Sequence, residues 1–212
     1  MSKNETELKV MWGLCAGLGG AEQAFEDSPN WLVVRIDNNP ILLDHGVENL
    51  EILDVLNWAS WVPGVIEKYG VPDLIIAGPP CLEFSNGYSG PKMRHHREHG
   101  GLENYEPDMS LVWACQDLIQ FVNPQWWIVE NVAGACPYFD EVFGTLEQKI
   151  SGFVLWGRFP QLILPTGWTH SKFENDTWSS DPLRANRRAK WPLEISQAVL
   201  TAIESQSTLW DF

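Results

Sequence analysis

A chain of 212 residues, of which 44% are hydrophobic, is long and apolar enough to fold as one domain with a sizeable core, which argues against a disordered protein. No apolar run approaches the roughly 20 residues of a membrane-spanning helix, and the N-terminal sequence MSKNETELK lacks the apolar stretch of a signal peptide. The net charge of −14 argues against a nucleic-acid partner, although seven of the fourteen Lys and Arg residues lie in two short stretches, 92–97 and 184–190, which form either a local phosphate-binding face or two solvated charge runs.

The first half of the chain alternates short apolar runs with amphipathic stretches. The apolar runs predict four strands, and the stretches between them predict three helical segments. The strands are expected at Lys9–Leu14, Leu32–Ile36, Ile52–Val55 and Leu74–Ala77, and the helical segments at Gly20–Phe25, Asn39–His45 and Trp61–Tyr69.

The second half begins with a connection of about 25 residues that is rich in glycine, histidine and charge, and ordered loops of that size are often functional. Beyond it, the pattern predicts helices at Ser110–Val122 and Leu193–Ser205, and strands at Trp126–Val129, Phe153–Trp156 and Leu162–Leu164. Alternation of helices with strands that are apolar throughout predicts an α/β fold, with a mostly parallel sheet and helices on both faces.

Glycine, acidic and thiol residues stand at the ends of five predicted strands. In chain order they are Gly17–Gly20, Asp37, Asp54, Cys81 and Glu130. Ligand sites of parallel sheets lie beyond the carboxyl ends of the strands. We therefore expect these residues to converge on one site.

The first of these motifs is GLCAGLGGAEQAF, residues 13–25, a glycine-rich turn from strand into helix that lets a ligand approach the backbone. The dinucleotide pattern G-x-G-x-x-G fails because Glu22 stands where its third glycine belongs, and a glutamate there would repel a pyrophosphate. A nucleoside without phosphates, such as S-adenosylmethionine, is the better ligand. A tight strand–helix turn without a ligand explains the same glycines.

Two aspartates follow the next strands. Asp37, in RIDNNP, is placed to accept both hydroxyls of a ribose or to cap the helix that follows. Asp54 is similar, since it would accept an adenine amino group or cap a turn. Neither aspartate, taken alone, distinguishes a ligand-binding role from a structural one.

Cys81, in GPPCLEFS, follows a buried strand on a backbone stiffened by Pro79 and Pro80. The four cysteines lie far apart and form no C-x-x-C pair, which argues against a zinc site or a disulfide framework and favours free thiols in a cytosolic protein. Cys81 is therefore an activated nucleophile or a buried structural thiol. Glu130, in WWIVENVAGA, is a proton donor with a raised pKa or a strand-end cap.

The motifs GLCAGLGGAEQAF, IDNNP, GPPCLEFS and WWIVENVAGA, taken together, resemble four ordered motifs of the cytosine-5 DNA methyltransferases. The Pro-Pro-Cys and Glu-Asn-Val elements are the specific ones. The C-terminal RANRRAKWPLEISQAVLTAI also resembles the end of small members encoded by bacteriophages. The resemblance covers residues 8–165 and this tail, and it implies a Rossmann-like fold dependent on S-adenosyl-L-methionine, as one domain over residues 1–212 without a large target-recognition domain.

The resemblance also implies a mechanism, in which a methyl group passes from S-adenosyl-L-methionine to C5 of a cytosine that has left the DNA duplex. Cys81 would add to C6 of the base, and Glu130 would hold N3 and the exocyclic amine. Arg158, in Gly157-Arg158-Phe159, would be a further contact to the base. The expected location is the cytoplasm, that of the host if a phage encodes the chain, and restriction–modification is one expected setting.

Two groups of binding residues follow from the same resemblance. The donor site would comprise Cys15, Ala16, Gly17, Leu18, Gly19, Gly20, Asp37, Asn38, Asp54, Val55 and Pro79. The contacts to DNA would come from Ser85, Lys92, Arg94, Arg97, Arg187 and Arg188.

The chain departs from the family in three places. Only about twenty residues, Thr166–Leu183, stand where a long target-recognition region is usual, the Gln-x-Arg-x-Arg element is not clear, and Leu193–Ala198 takes the place of the Gly-Asn-x-Val helix. Readout of a sequence requires an element that reaches the base edges, so we expect a short recognition sequence or help from a partner. RNA as substrate, a modified donor that installs a larger group, and a non-catalytic partner that binds DNA or donor remain the alternatives.

Overall fold

The computed structural model describes residues 8–87, 90–170 and 181–207. Within these ranges, seven strands form one sheet in the order β3-β2-β1-β4-β5-β7-β6. The strands are β1 Lys9–Leu14, β2 Trp31–Asp37, β3 Leu50–Ile52, β4 Leu74–Ala77, β5 Trp126–Asn131, β6 Gln148–Ile150 and β7 Phe153–Arg158. The helices are α1 Gln23–Glu26, α2 Trp58–Tyr69, α3 Pro91–His99, α4 Ser110–Val122, α5 Cys136–Phe143, α6 Arg184–Ala189 and α7 Leu193–Ser207. Three 3₁₀ turns cover Pro40–His45, Val55–Asn57 and Ala133–Ala135.

The sheet is parallel through its first five strands, and β7 runs antiparallel to both β5 and β6. Alternate residues of each strand enter separate cores on its two faces. Trp12 of β1 packs in the core that α2, α4 and α5 cover, whereas Met11 packs in the core that contains α1 and α7. This double burial explains why the strands read as continuous apolar runs, and it confirms the predicted α/β class with helices on both faces.

The structure departs from the sequence prediction in several places: β3 ends at Ile52 instead of Val55, and α5, β6 and α6 were not predicted. Two connections show the physical reasons most clearly. The predicted long loop contains α3, which begins after Gly90 with Pro91 in its first turn and ends at Gly100 in the left-handed conformation. The helix lacks an apolar stripe, so the hydrophobic period did not indicate it. The predicted strand Leu162–Leu164 is absent, because the Gln148 side chain bonds the Leu162 carbonyl and amide at 2.9 Å each and replaces a neighbouring strand.

None of the helices in the described part of the chain combines the length and the apolar character that crossing a membrane would require.

Candidate active site

The glycine-rich turn after β1 is held by the end of β2. Cys15, Gly17 and Gly19 all adopt positive φ, at 53°, 54° and 70°. The Gly17 amide donates to Oδ2 of Asp37 at 2.9 Å, and the Asn39 amide donates to Oδ1 of the same carboxylate at 2.9 Å. Asp37 therefore shapes the turn, and each of its oxygens keeps a lone pair with which to accept a further hydrogen bond.

The C-terminal segment packs directly on this turn. A Cβ on Gly20 would lie 2.3 Å from the Trp191 backbone nitrogen, and one on Gly17 would lie 2.9 Å from Nδ2 of Asn186. Such distances are shorter than real Cβ contacts, so both positions require glycine. The close approach of α6 and of the start of α7 explains these glycines without reference to a ligand.

The helix α7 is also bonded to the start of α1. The Ser196 hydroxyl donates to the Ala21 carbonyl at 2.6 Å and accepts from the Ala24 amide at 3.0 Å. Gln23 donates to the Trp191 carbonyl at 3.0 Å. The segment Leu193–Ala198 thus lies against the residues that follow the glycine-rich turn.

A cavity lies between the turn and the C-terminal segment. It runs from the end of β1 past Gly78, after β4, to Glu130 at the end of β5. Of the residues expected to converge here, the glycine-rich turn and Glu130 line the cavity, whereas Asp37, Asp54 and Cys81 do not. Its lining comprises Leu14, Cys15, Ala16, Gly17, Leu18, Gly20, Ala21, Glu22, Ile76, Gly78, Glu130, Asn186, Ala189, Lys190 and Trp191.

Glu22 is the unusual group in this lining. Its side chain is 2% exposed, and its Oε2 atom has no hydrogen-bond partner among the described residues. Burial raises the pKa of Glu22 from 4.5 to about 7, against the lowering effect of the Arg35 charge. A buried carboxylate oxygen without a partner is costly, and a cationic or hydrogen-bond-donating ligand would satisfy it. S-adenosylmethionine is such a ligand, so the residues present fit it. Sequence reasoning used Glu22 only to exclude a pyrophosphate.

Three other predicted donor residues have structural partners. Cys15 shares a hydrogen bond with the Cys115 thiol, which together with burial and the charges of Asp37 and Asp54 raises the pKa of Cys15 well above its ordinary value. The raised pKa favours the neutral thiol form of Cys15. Asp54 caps the turn Val55–Asn57, since its Oδ1 accepts from the Leu56 amide at 3.0 Å, and Val55 is buried in the core.

Cys81 and Glu130 lie beyond the same edge of the sheet. Their strands are adjacent and parallel, with Ala77 of β4 opposite Val129 of β5. The half-buried Cys81 opens a tight turn, in which its carbonyl accepts from the amides of Phe84 at 3.1 Å and Ser85 at 2.8 Å. The register and this turn bring the predicted nucleophile and the predicted acid to neighbouring strand ends.

The prediction that Arg158 contacts the base is wrong. Because β7 is antiparallel to β5, Arg158 pairs with Trp127 at the start of β5, whereas Glu130 pairs with Leu155. The guanidinium donates to the Gln125 carbonyl at 2.9 Å and to the Pro124 carbonyl. It therefore lies toward the opposite edge of the sheet from the candidate site.

The prediction that Lys92 contacts a phosphate is also wrong. Its side chain is 6% exposed, and its Nζ donates to two backbone carbonyls, those of Phe84 and Gly134. The ammonium is turned into the protein because α3 lies against the turn that carries Cys81.

The remaining predicted contacts to DNA stay predictions. Arg94 and Arg97 are exposed on α3, and Arg188 is exposed on α6. Arg187 forms an ion pair with Asp181 at 2.7 Å, and the Ser85 hydroxyl accepts from the Gly87 amide at 3.1 Å. Residues 171–180, within the short segment that replaces a target-recognition region, lie outside the described residues.

Three comparisons with known proteins bear on this site. A family model for the C-5 cytosine-specific DNA methylases matches residues 11–138, a range that includes the glycine-rich turn, Cys81 and Glu130. The Type II methyltransferase M.HgiGI of Herpetosiphon aurantiacus is 31% identical over 131 residues, which are 58% of this chain and 89% of that protein. The Entamoeba histolytica methyltransferase EhMeth superimposes with a TM-score of 0.54 at 13% identity, over 82% of this chain. This chain covers 62% of the EhMeth structure, and the likeness confirms the Rossmann-like methyltransferase fold.

Proposed function

The chain belongs to the C-5 cytosine-specific DNA methylase family, and we propose that it methylates C5 of cytosine in DNA with S-adenosyl-L-methionine as donor. The observation that supports the proposal is that Cys81 follows β4 and Glu130 lies in the adjacent parallel strand β5, where Glu130 lines the cavity next to the glycine-rich turn. A thiol and a carboxyl group in this arrangement suit covalent activation of a pyrimidine.

Residues in and next to the cavity would hold the donor. Asp37, which lies behind the cavity wall and bonds the Gly17 amide, would accept the ribose hydroxyls with the lone pairs that it retains. The Glu22 oxygen that has no partner among the described residues would face the cationic amino-acid end. The backbone of Gly17–Gly20 would lie close to the ligand because its glycines carry no side chains. The donor, when bound, supplies an electrophilic methyl group.

The chemistry on the base follows from the electronic structure of cytosine. Addition of the Cys81 thiolate to C6 converts the C5–C6 double bond into a nucleophilic centre at C5. Glu130, in hydrogen bonds with N3 and the exocyclic amine, stabilises the charge that builds up on the ring during this addition. As C5 takes the methyl group, the bond from that methyl to the donor sulfur would break and the donor would leave as a neutral thioether. Transfer of the C5 proton to solvent water would then restore the C5–C6 double bond and expel Cys81 as a thiolate.

The substrate must reach this site as an extruded base, since C6 and C5 are not accessible to a thiol within a stacked duplex. The exposed Arg94, Arg97 and Arg188 are the candidates for phosphate contacts. With a net charge of −14, these few cations carry much of the attraction to the DNA backbone.

The test is mass spectrometry of nucleosides from DNA incubated with the purified protein and S-adenosylmethionine. We expect 5-methylcytosine with the wild-type protein, and at least about a 10³-fold lower rate with Cys81→Ser, because the nucleophile is removed. Cys136→Ser is the matched control and should retain activity. A fully active Cys81→Ser variant would contradict the covalent mechanism, and a product on RNA alone would move the assignment to an RNA substrate.

A further inference from the structure

We propose that Lys92 is a positioning residue, which holds the turn carrying Cys81 against the segment that follows Glu130. The kinetic part of this inference rests on the function proposed above. The Lys92 bridge is defined here as the two hydrogen bonds that its Nζ donates, to the Phe84 carbonyl at 3.4 Å and to the Gly134 carbonyl at 3.1 Å.

The bridge crosses between the two loops that carry the reacting groups. Phe84 lies three residues beyond Cys81, in the same turn, and Gly134 lies four residues beyond Glu130. The approach at Gly134 is close, because a Cβ there would lie 2.2 Å from the Phe84 carbonyl oxygen and 3.2 Å from the Lys92 Nζ. Only glycine allows the three groups to meet.

A second hydrogen bond holds the chain on the N-terminal side of Cys81. Asn131, which is 1% exposed, donates from Nδ2 to the Pro79 carbonyl at 2.9 Å. Cys81 therefore lies between Pro79, which is bonded directly to Asn131, and Phe84, which Lys92 links to Gly134. Two fixed ends determine where the short turn between them can place its thiol.

Burial of the Lys92 ammonium is costly, and none of the described residues places an opposite charge beside it. Lysine is almost never buried unless it is paired, and no carboxylate among the described residues forms an ion pair with Lys92. Removal from water lowers the pKa of Lys92. An apolar residue of similar length would pack at this position without that cost, so the two carbonyl bonds are what the ammonium contributes.

The residues after α3 reinforce the same turn. The Tyr105 hydroxyl lies 2.9 Å from the Glu83 carbonyl oxygen and 2.8 Å from Oε2 of Glu83. Two residues of the turn, Glu83 and Phe84, are thus held by side chains of the connection after β4. This connection anchors the nucleophile, in addition to any contact that its exposed arginines make with DNA.

The first experiment compares Lys92→Met with Lys149→Met, a matched change at an exposed lysine on β6. Hydrogen exchange measured by mass spectrometry reports on the Phe84 and Ser85 amides, which bond to the Cys81 carbonyl. We expect faster exchange in the peptide that contains residues 81–85 in Lys92→Met only, with the β1 peptide unchanged. This measurement requires no substrate.

The second experiment measures the single-turnover rate of methylation together with the dissociation constants for donor and for DNA. Removal of the bridge should lower the rate about 10- to 100-fold, as misplacement of a reacting group by about 1 Å does, and should leave both dissociation constants unchanged. A role in general stability would weaken binding as well. A role in phosphate contact would lower the affinity for DNA and its salt dependence.

Gly134→Ala gives a second route to the same bridge while Lys92 stays in place, and it keeps the proposal testable if Lys92→Met folds poorly. Both variants should slow the reaction, and the double variant should be little slower than either one, because they disrupt one shared interaction. Unchanged exchange and rate in both variants of an active enzyme would overturn the inference and leave the proposed function intact. A wild-type protein that never methylates DNA, with the exchange result as expected, would overturn the proposed function and leave the bridge intact.

Discussion

The glycine-rich turn and the turn that carries Cys81, which are the proposed donor side and base side of the site, are built in opposite ways. On the donor side, glycines pack against a distant part of the chain, and Glu22 retains a buried carboxylate oxygen without a partner among the described residues. On the base side, Asn131, Lys92 and Tyr105 all direct their polar atoms to the turn that carries Cys81. The difference shows that one site can contain polar groups that only a ligand would satisfy, as at Glu22, beside a turn whose polar groups are already held by hydrogen bonds within the protein.

The largest effect on the methylation rate should come from the proposed base side, to which Glu130 belongs. Glu130→Gln keeps the shape of the side chain and removes its acid–base function, so we expect turnover to fall about 10²- to 10⁴-fold. Donor affinity and the melting temperature should stay close to those of the wild type. The measurement is a single-turnover methylation assay beside calorimetric binding of the donor. Glu147→Gln, at an exposed position outside the cavity, is the control, and equal rates in both variants would remove Glu130 from the mechanism.

A smaller effect should come from the proposed donor side, where a change at Glu22 should weaken donor binding but stabilise the ligand-free protein. Glu22→Gln should weaken binding of the cationic donor about tenfold at pH 8, since a charged hydrogen-bond acceptor is removed. The same change should stabilise the ligand-free protein at pH 8 by about 3 kcal/mol, because ionised Glu22 is penalised only in the folded state. Glu67→Gln, at an exposed position on α2, serves as the control.

The pH dependence follows from the direction of the Glu22 pKa. Below pH 4.5 the carboxyl group is protonated in both the folded and the unfolded chain and contributes nothing. Between pH 4.5 and about 7 the unfolded chain releases the proton first, so folding loses stability as the pH rises, in the field of Arg35 and Glu26. Wild-type affinity for the donor should rise across pH 7, and a flat profile identical to that of Glu22→Gln would show that this carboxylate does not face the donor.

The smallest effect should come from the outer surface of α3. Replacing Arg94 and Arg97 by Gln should reduce the slope of log affinity for DNA against log salt by about one for each phosphate that is no longer bound. Replacing Lys92 by Met should leave that slope unchanged, since its ammonium is buried. Fluorescence anisotropy titrations of DNA at several salt concentrations would measure this slope for the arginine variant and for Lys92→Met. If only Lys92→Met altered the slope, α3 would have the reverse orientation on DNA.

The sequence predicted the parts of the fold that depend on local pattern. The bounds of β1, β4 and α4 agree with the structure, and of the residues predicted at strand ends the glycine-rich turn and Glu130 share one cavity. The position of Arg158 was not predictable, because an apolar run does not reveal the direction of β7. Lys92 was misread for a related reason, since a short polar helix gives no sign of which charge turns inward.

The packing of the C-terminal segment on the glycine-rich turn also escaped sequence reasoning, because it joins residues 168 to 175 positions apart. Nothing in the local pattern of either segment indicates its partner. The signals that existed were the close spacing of glycines beyond the needs of a turn and a serine inside an apolar helix. Ser196 is buried and bonded to both Ala21 and Ala24.

This long-range packing has a consequence for synthesis of the protein. The ribosome completes the glycine-rich turn early, but the turn gains its packing partner only after residue 196 has left the exit tunnel. Contacts of such sequence separation form late and slowly. A nascent or prematurely terminated chain would therefore contain Cys81 before the proposed donor pocket is complete. Under the proposed function, methylation would require almost the whole described chain to be synthesised and folded.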